Sequence, residues 1–163
     1  LYNVKPDVMA CGKAAGGGIL PGSFVAGRDD IIGVLTPGSE GSTFGGYPLA
    51  AVVGVYAIKT LIDEKLTNNA NIRGKQLIKG LNQIKNDFAD KIKIVRGKGL
   101  LTAFEMFDNK KLDGHKISLG LLDHGVYAKE THKTTIRLAP ALTINVGQID
   151  ILLDATRKVI KSL

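Results

Sequence analysis

The chain has 163 residues, of which 44% are hydrophobic and 23% are charged, as in ordinary globular proteins. Its formal net charge of +7 raises the question of a nucleic-acid partner, but the Lys and Arg residues are scattered among Asp and Glu and form no basic arm. Its single cysteine, Cys11, excludes an internal disulfide, and its three histidines lack the spacing of a metal site. We therefore expect no metal and no nucleic-acid partner.

The sequence also bears on location. A lone cysteine suits a reducing compartment, and no apolar run is long enough to span a bilayer, so we expect a cytoplasmic protein without membrane contact. The chain opens at Leu1 rather than at a methionine, as a piece of a longer protein would. A location in the mitochondrial matrix stays open for that reason.

The stretch from residue 8 to residue 21 carries the first candidate site. An apolar run over residues 8–11 predicts a short buried strand, and Lys13 then stands among Gly12, two alanines and three more glycines. Small neighbours leave room for another molecule, and an amine among apolar groups reaches its neutral, nucleophilic form more easily. Schiff-base chemistry needs such an amine, but from this stretch alone an exposed lysine after a strand is the plainer interpretation.

Two phosphate-binding motifs share letters with this stretch, and both fail. A Walker A loop would need glycine in place of Asp7 and a hydroxyl in place of Ala14. A dinucleotide fingerprint started at Gly16 would end at Pro21, which lacks the backbone N–H of the required glycine. Nucleotide binding is therefore not predicted here.

The second candidate site is the loop over residues 39–48, S-E-G-S-T-F-G-G-Y-P. Its free backbone N–H groups and the hydroxyls of Ser42 and Thr43 suit a phosphate or a carboxylate. Before this loop, Asp29 and Asp30 predict a short capped helical turn that ends at Pro37.

Two helices are predicted next. The first starts at Pro48 and runs to about Lys65, and its apolar first half predicts burial between layers. The second follows residues 67–69, whose Thr and Asn side chains are expected to cap it. Its predicted core face consists of Leu77, Ile78, Leu81, Ile84 and Phe88.

The remaining elements alternate between strands and helices. Strands are predicted over residues 91–95, 100–107, 126–128 and 135–138, with a turn over 96–99, a helix over 112–124 and a final helix capped by Asn145 and Gln148. Arg137 should lie on the strand face opposite Ile136 and Leu138. An exposed strand arginine with no ligand is the plainer interpretation of Arg137 by itself. This part reads as a small α+β domain.

Four segments together resemble the fold type I, class III aminotransferases, which use pyridoxal 5'-phosphate. In chain order they read G-K-A-A-G-G-G-I-L-P, P-G-S-E-G-S-T-F-G-G-Y-P-L-A, V-R-G-K-G-L-L and T-H-K-T-T-I-R-L-A-P. The resemblance covers nearly the whole chain and implies an α/β protein. It implies that residues 1–47 end the large cofactor-binding domain, that residues 48–66 form a linking helix, and that residues 67–163 form a small C-terminal α+β domain.

The same resemblance implies roles for four residues. Lys13 matches the lysine that holds the cofactor covalently and then moves a proton between substrate and cofactor. Ser42 and Thr43 match the pair that reaches the cofactor phosphate from the neighbouring subunit, which implies a homodimer with shared active sites. Arg137 matches the arginine that binds the substrate carboxylate. By the same resemblance, Arg96 and Lys98 lie in a structural turn.

The implied reaction is transfer of the δ-amino group of ornithine to 2-oxoglutarate, giving glutamate semialdehyde and glutamate. Acetylornithine or 4-aminobutyrate are the alternative donors. The chain departs from the family pattern at Glu40, Tyr47 and Ala15, where histidine, asparagine and leucine are usual, and the aspartate that holds the pyridine nitrogen would lie upstream of Leu1. A non-catalytic assembly or binding module is the alternative of another class.

Overall fold

A computed structural model describes residues 3–108 and 113–163. The chain divides into two compact units, Leu1–Glu64 and Lys65–Leu163. Together they give a mixed α/β protein. None of the helices in the described part of the chain is both long and apolar enough to cross a membrane.

The first unit contains one two-stranded sheet. Strand β1 (Val8–Cys11) pairs antiparallel with β2 (Phe24–Gly27), and a short 3-10 turn (Lys13–Gly16) lies between them. Helix α1 (Asp29–Ile32) and helix α2 (Pro48–Asp63) follow. The predicted strand over residues 8–11 is confirmed.

Burial in the first unit is much lower than the sequence predicts. Val8 and Met9 are 42% and 48% exposed in this two-stranded sheet. The apolar first half of α2 is likewise largely exposed, including Leu49 and Val52. The described residues of this chain therefore bury neither β1 nor the first half of α2, contrary to the prediction.

Helix boundaries in the first unit agree in part with the sequence. Helix α2 begins at Pro48 as predicted, because proline at the first helical position loses no hydrogen bond. The predicted end of α1 at Pro37 is wrong, since the backbone N–H of Gly33 donates to Asp29 O at 2.8 Å and closes the last turn there. Among the residues that the structure describes, no side chain caps α1 either.

The second unit is a four-stranded antiparallel sheet covered by helices. Its elements are α3 (Leu66–Asp87), β3 (Ile92–Lys98), β4 (Leu101–Met106), α4 (Gly114–Asp123), β5 (Lys129–Thr131), β6 (Thr135–Leu138) and α5 (Val146–Ser162). The strand order is β3-β4-β6-β5. The core contains side chains from all three helices and from the sheet, among them Leu81, Phe104, Ile117, Ile136 and Ile160.

Three details of the second unit correct the predictions. Residues 67–69 lie inside α3 and do not cap it, because Lys65 adopts a left-handed conformation before the helix. The turn is at residues 99–100, so that Arg96 and Lys98 belong to β3. A strand is expected over residues 126–128, but the strand in this region, β5, begins three residues later, at Lys129. The predicted helix start at residue 112 lies outside the described residues.

Other predictions for the second unit are confirmed. Asn145 Oδ1 accepts from the backbone N–H of Gln148, and Gln148 Oε1 accepts from that of Asn145, each at 3.0 Å. This reciprocal pair is the capping box that the sequence predicts. Strand β6 buries Ile136 and Leu138 and exposes Arg137, as the alternation indicates.

Candidate active site

Lys13 lies at a tight turn directly after β1. It opens the 3-10 turn with a φ of 54°, in the left-handed region that few residues other than glycine adopt. Such a conformation costs on the order of 1 kcal/mol and persists where the surrounding structure holds it. Here the backbone N–H of Ala15 donates to Gly12 O at 3.2 Å, and that of Gly17 donates to Ala14 O at 2.9 Å. The exposed Lys13 side chain is therefore attached to a backbone segment that is held by hydrogen bonds.

The glycines beside Lys13 serve internal packing. A Cβ on the buried Gly16 would lie 3.2 Å from Gly22 N, and one on Gly17, whose φ is 63°, would lie 3.2 Å from Ala57 Cβ. Packing within the chain therefore accounts for Gly16 and Gly17. An added Cβ at Gly18 would meet nothing within 4 Å, and that these glycines make room for another molecule stays a prediction.

Helix α2 supports this turn through small residues that the sequence reasoning missed. Gly54 approaches Ala15 O, since a Cβ on Gly54 would lie 3.5 Å from that oxygen, and Ala57 touches Gly17. The two residues are three positions apart and therefore share one helix face. Two small residues at this spacing in an otherwise apolar helix were the signal available in the sequence.

The Ser42–Thr43 loop leads into the start of α2. The backbone N–H of Gly45 donates to Ser42 O at 3.1 Å and forms a turn, and the side chains of Ser42 and Thr43 are exposed. Among the described residues, neither hydroxyl forms a hydrogen bond, so both are available as donors. Glu40 is exposed and forms no ion pair within the same described ranges.

Helix α2 positions both candidate segments of the first unit. The turn of Lys13 packs against Gly54 and Ala57, and the Ser42–Thr43 loop ends at Pro48. Gly54 lies six positions after Pro48, which is about 9 Å along a helix axis. Arg137 belongs to the second unit, and its surroundings are described there.

Arg137 lies at the middle of the exposed face of the sheet. It is directly opposite Ala103 on β4 and directly opposite Lys129 on β5. Glu105 lies on the same face, but its carboxylate accepts from Lys93 Nζ at 2.9 Å and from Arg96 at 2.8 Å. These two hydrogen bonds, that from Lys93 first, lower the pKa of Glu105. The Arg137 guanidinium makes no ion pair with any described residue and is available to an anion.

A family model described as aminotransferase class-III matches residues 1–160. The chain belongs to the class-III aminotransferase family. Its mixed α/β architecture agrees with that of fold type I aminotransferase structures. The match includes the segments of Lys13, Ser42, Thr43 and Arg137, which the resemblance also used.

Within the class-III aminotransferases, the chain is similar to several ornithine and acetylornithine aminotransferases. It is 44% identical over 156 residues to the ornithine aminotransferase of Staphylococcus carnosus, covering 96% of this chain and 38% of that protein. The ornithine aminotransferase structure from Plasmodium yoelii shares 42% identity with a TM-score of 0.91, covering 99% of this chain and 42% of that one. The acetylornithine aminotransferase structure from Elizabethkingia anophelis shares 36% identity with a TM-score of 0.92, covering 99% and 40%.

The chain is also much shorter than the proteins it matches. The chain spans about two fifths of the length of the proteins it matches, with 38% of the Staphylococcus carnosus relative covered.

Proposed function

We propose that this chain is part of an aminotransferase that moves the δ-amino group of ornithine to 2-oxoglutarate and so forms glutamate semialdehyde and glutamate. The observation that carries this proposal is the 44% identity with an ornithine aminotransferase over 96% of the chain. An acetylornithine aminotransferase structure also matches over nearly the whole chain, at 36% identity. Acetylornithine is therefore the second candidate donor.

The donor groups present fit pyridoxal 5'-phosphate. The cofactor contributes an aldehyde, which an exposed amine can bind covalently, and a phosphate, which free hydroxyls and N–H groups can bind. Lys13 offers the amine on a backbone held by its turn, and Ser42 and Thr43 offer exposed hydroxyls. When bound, the cofactor supplies a sink for the electrons released at the amine-bearing carbon of the substrate.

The residues of this chain would act in three ways. The Lys13 amine holds the cofactor and then carries the proton that leaves the amine-bearing carbon, as base and afterwards as acid. Ser42 and Thr43 donate hydrogen bonds to the phosphate of the partner subunit's site. Arg137 binds the substrate carboxylate, to which its planar guanidinium can donate two parallel hydrogen bonds.

Covalent labelling tests the role of Lys13. The full-length protein is loaded with pyridoxal 5'-phosphate, reduced with borohydride and cleaved into peptides. A pyridoxyl group on Lys13 is expected. A label on any other lysine contradicts the assignment, and the variant Lys13→Arg serves as the unlabelled control.

Donor assays with the full-length enzyme test the substrate. Formation of glutamate from 2-oxoglutarate is measured with ornithine, acetylornithine and 4-aminobutyrate at equal concentrations. We expect the highest kcat/KM with ornithine. A higher value with acetylornithine would transfer the assignment to the second candidate.

Mixed dimers test whether active sites are shared. Two full-length variants, Lys13→Ala and the double variant Ser42→Ala with Thr43→Ala, are unfolded together and refolded. If Ser42 and Thr43 act in the partner's site, one site of each mixed dimer has every native group, so activity returns on mixing. Mixed dimers that stay at the level of the separate variants would show that each subunit completes its own site.

A further inference from the structure

A row of cations crosses the exposed face of the sheet in the second unit. The strand register places Arg96 opposite Ala103, Ala103 opposite Arg137, and Arg137 opposite Lys129. Residues directly opposite each other in an antiparallel pair point to the same face, with Cβ atoms about 4.5–5.5 Å apart. Arg137 and Lys129 are therefore neighbours on that face, and both are exposed.

The hairpin between β5 and β6 fixes this neighbourhood. The turn of this hairpin contains His132 and Lys133, whose φ values are 52° and 63°. Thr131, before the turn, pairs with Thr135, after it. The conformation of a turn sets the register of the strands it joins. A shift of one residue would also expose Ile136 and Leu138, which are 0% and 2% exposed. The pairing of Lys129 with Arg137 is thus determined by the core.

Carboxylates in the described part of the chain do not neutralise this pair. On this face the strands of the sheet carry a single acidic side chain, Glu105, and it is already bound by Lys93 and Arg96. Glu130 is the other acid in these strands, but it pairs with Ile136 in the register and so belongs to the opposite face. Within residues 3–108 and 113–163, neither Arg137 nor Lys129 forms an ion pair.

Two like charges directly opposite each other in a sheet destabilise it. A bound anion reverses that sign, because one carboxylate can accept from a guanidinium and from an ammonium group together. The small side chain of Ala103, on the other side of Arg137, keeps that flank open. The neighbouring side chains of Arg137 and Lys129 therefore form a positively charged patch that can bind an anion.

We propose that Lys129 is a second substrate-binding residue, which holds the same carboxylate as Arg137. The proposal rests on the proposed function, in which Arg137 binds the carboxylate of the amino-acid and 2-oxo-acid substrates. The charge of that carboxylate does not change during amino transfer, so Lys129 stabilises the bound substrate and the transition state equally. Its loss raises KM and leaves kcat nearly unchanged.

The test compares three variants of the full-length enzyme: Lys129→Met, Lys129→Arg and Lys75→Met. Lys75 is the matched control, an exposed lysine on α3 away from this sheet face. For Lys129→Met we expect the KM for 2-oxoglutarate to rise about tenfold, the scale of one hydrogen bond to a charged group. Lys129→Arg should restore most of the affinity, and Lys75→Met should behave like the unaltered enzyme.

A binding readout without turnover separates this inference from the proposed function. Glutarate, an unreactive dicarboxylate, should raise the unfolding temperature of the unaltered protein and of Lys75→Met, and it should raise that of Lys129→Met much less. Without glutarate, Lys129→Met should unfold no earlier than the unaltered protein, because a repulsion has been removed.

Each outcome decides one question. Equal KM values and equal glutarate shifts in Lys129→Met and Lys75→Met would overturn the role of Lys129. A lower kcat together with a lower unfolding temperature in Lys129→Met would also overturn it, because that result indicates a structural role. Failure of the unaltered full-length protein to transaminate ornithine would instead refute the proposed donor, while the glutarate shifts would still decide the role of Lys129.

Discussion

Gly17 lies against Ala57. A Cβ added to Gly17 would stand 3.2 Å from the Cβ of Ala57, so there is no spare volume between the turn that carries Lys13 and the middle of α2. The backbone of the turn is held by hydrogen bonds at both of its ends. A larger side chain at position 57 must therefore push on the whole turn.

Enlarging Ala57 should impair catalysis from a distance. We expect Ala57→Leu to lower the kcat of the full-length enzyme about 10- to 100-fold, because a displacement of about 1 Å at a reacting group has an effect of that size. Ala51→Leu is the control, since Ala51 is exposed on the same helix. Steady-state kinetics with ornithine measure the difference. Equal kcat values for the two variants would show that α2 does not position Lys13.

Gly74 should be one of the least tolerant helix positions in the second unit. A Cβ there would collide with the backbone carbonyl of Gly99, and backbone cannot rotate away as a side chain can. We expect Gly74→Ala to lower the free energy of unfolding of the full-length protein by about 1–3 kcal/mol, as overpacking does. Gly147→Ala is the opposite case, because its Cβ would meet only Asn145 Oδ1 at 3.7 Å. Urea denaturation should show Gly147→Ala unchanged or stabilised, and a stable Gly74→Ala would contradict the packing.

The cap of the last helix should contribute measurably. Asn145→Ala removes the acceptor for the backbone N–H of Gln148 and should cost about 1 kcal/mol of stability. Asn86→Ala is its control, because Asn86 is exposed near the end of α3 and makes no side-chain hydrogen bond with any described residue. Thermal unfolding of both full-length variants gives the comparison. Equal unfolding temperatures would mean that the capping box is not formed in solution.

Glu105 predicts a particular dependence of stability on pH. Hydrogen bonds from Lys93 and Arg96 lower the pKa of its carboxyl in the folded state. A lowered folded pKa gives stability that is fully present above the unfolded value, about 4.3, and is lost as the pH falls through the folded value. We expect the stability difference between the unaltered protein and Glu105→Gln to be constant near neutral pH and to shrink in acid.

A mutant cycle with three substitutions checks the cause of that dependence. In a background that carries Lys93→Met and Arg96→Met, the substitution Glu105→Gln should no longer produce a difference that shrinks in acid. Urea denaturation between pH 7 and pH 3 is the measurement, with those pH values spanning the ordinary carboxylate range. Persistence of the acid-sensitive difference in that background would show that other groups hold the Glu105 carboxylate.

The features that can be predicted from the sequence depend on local interactions. Proline at position 48 fixes the start of α2, the Asn145 and Gln148 pair fixes the start of α5, and alternation along β6 fixes the side to which Arg137 points. Each of these depends on residues within a few positions of one another.

The features that cannot be predicted from the sequence depend on a partner far away in the chain. The side chain of Asn69 seemed free to cap α3, but it donates to Leu142 O at 2.7 Å and to Ile144 O at 3.0 Å, more than seventy positions away. Lys129 was missed because only the register of β5 against β6 brings it beside Arg137. The predicted burial of β1 and α2 is larger than the burial by the described residues. Apolar residues show which surface can be buried, but they do not show which other residues cover it.

The bonds from Asn69 also connect the first helix of the second unit to the segment that leads into its last helix. Gln76 on α3 extends that connection by donating to Asp150 Oδ1 on α5 at 2.9 Å. A ribosome adds about 5–20 residues per second, so α3 emerges several seconds before α5 is complete. During that interval Leu77 and Leu81 lack the cover that α5 later provides. The core of the second unit is thus complete only after α5 has been synthesised. Until then the nascent chain must remain soluble with part of its core exposed.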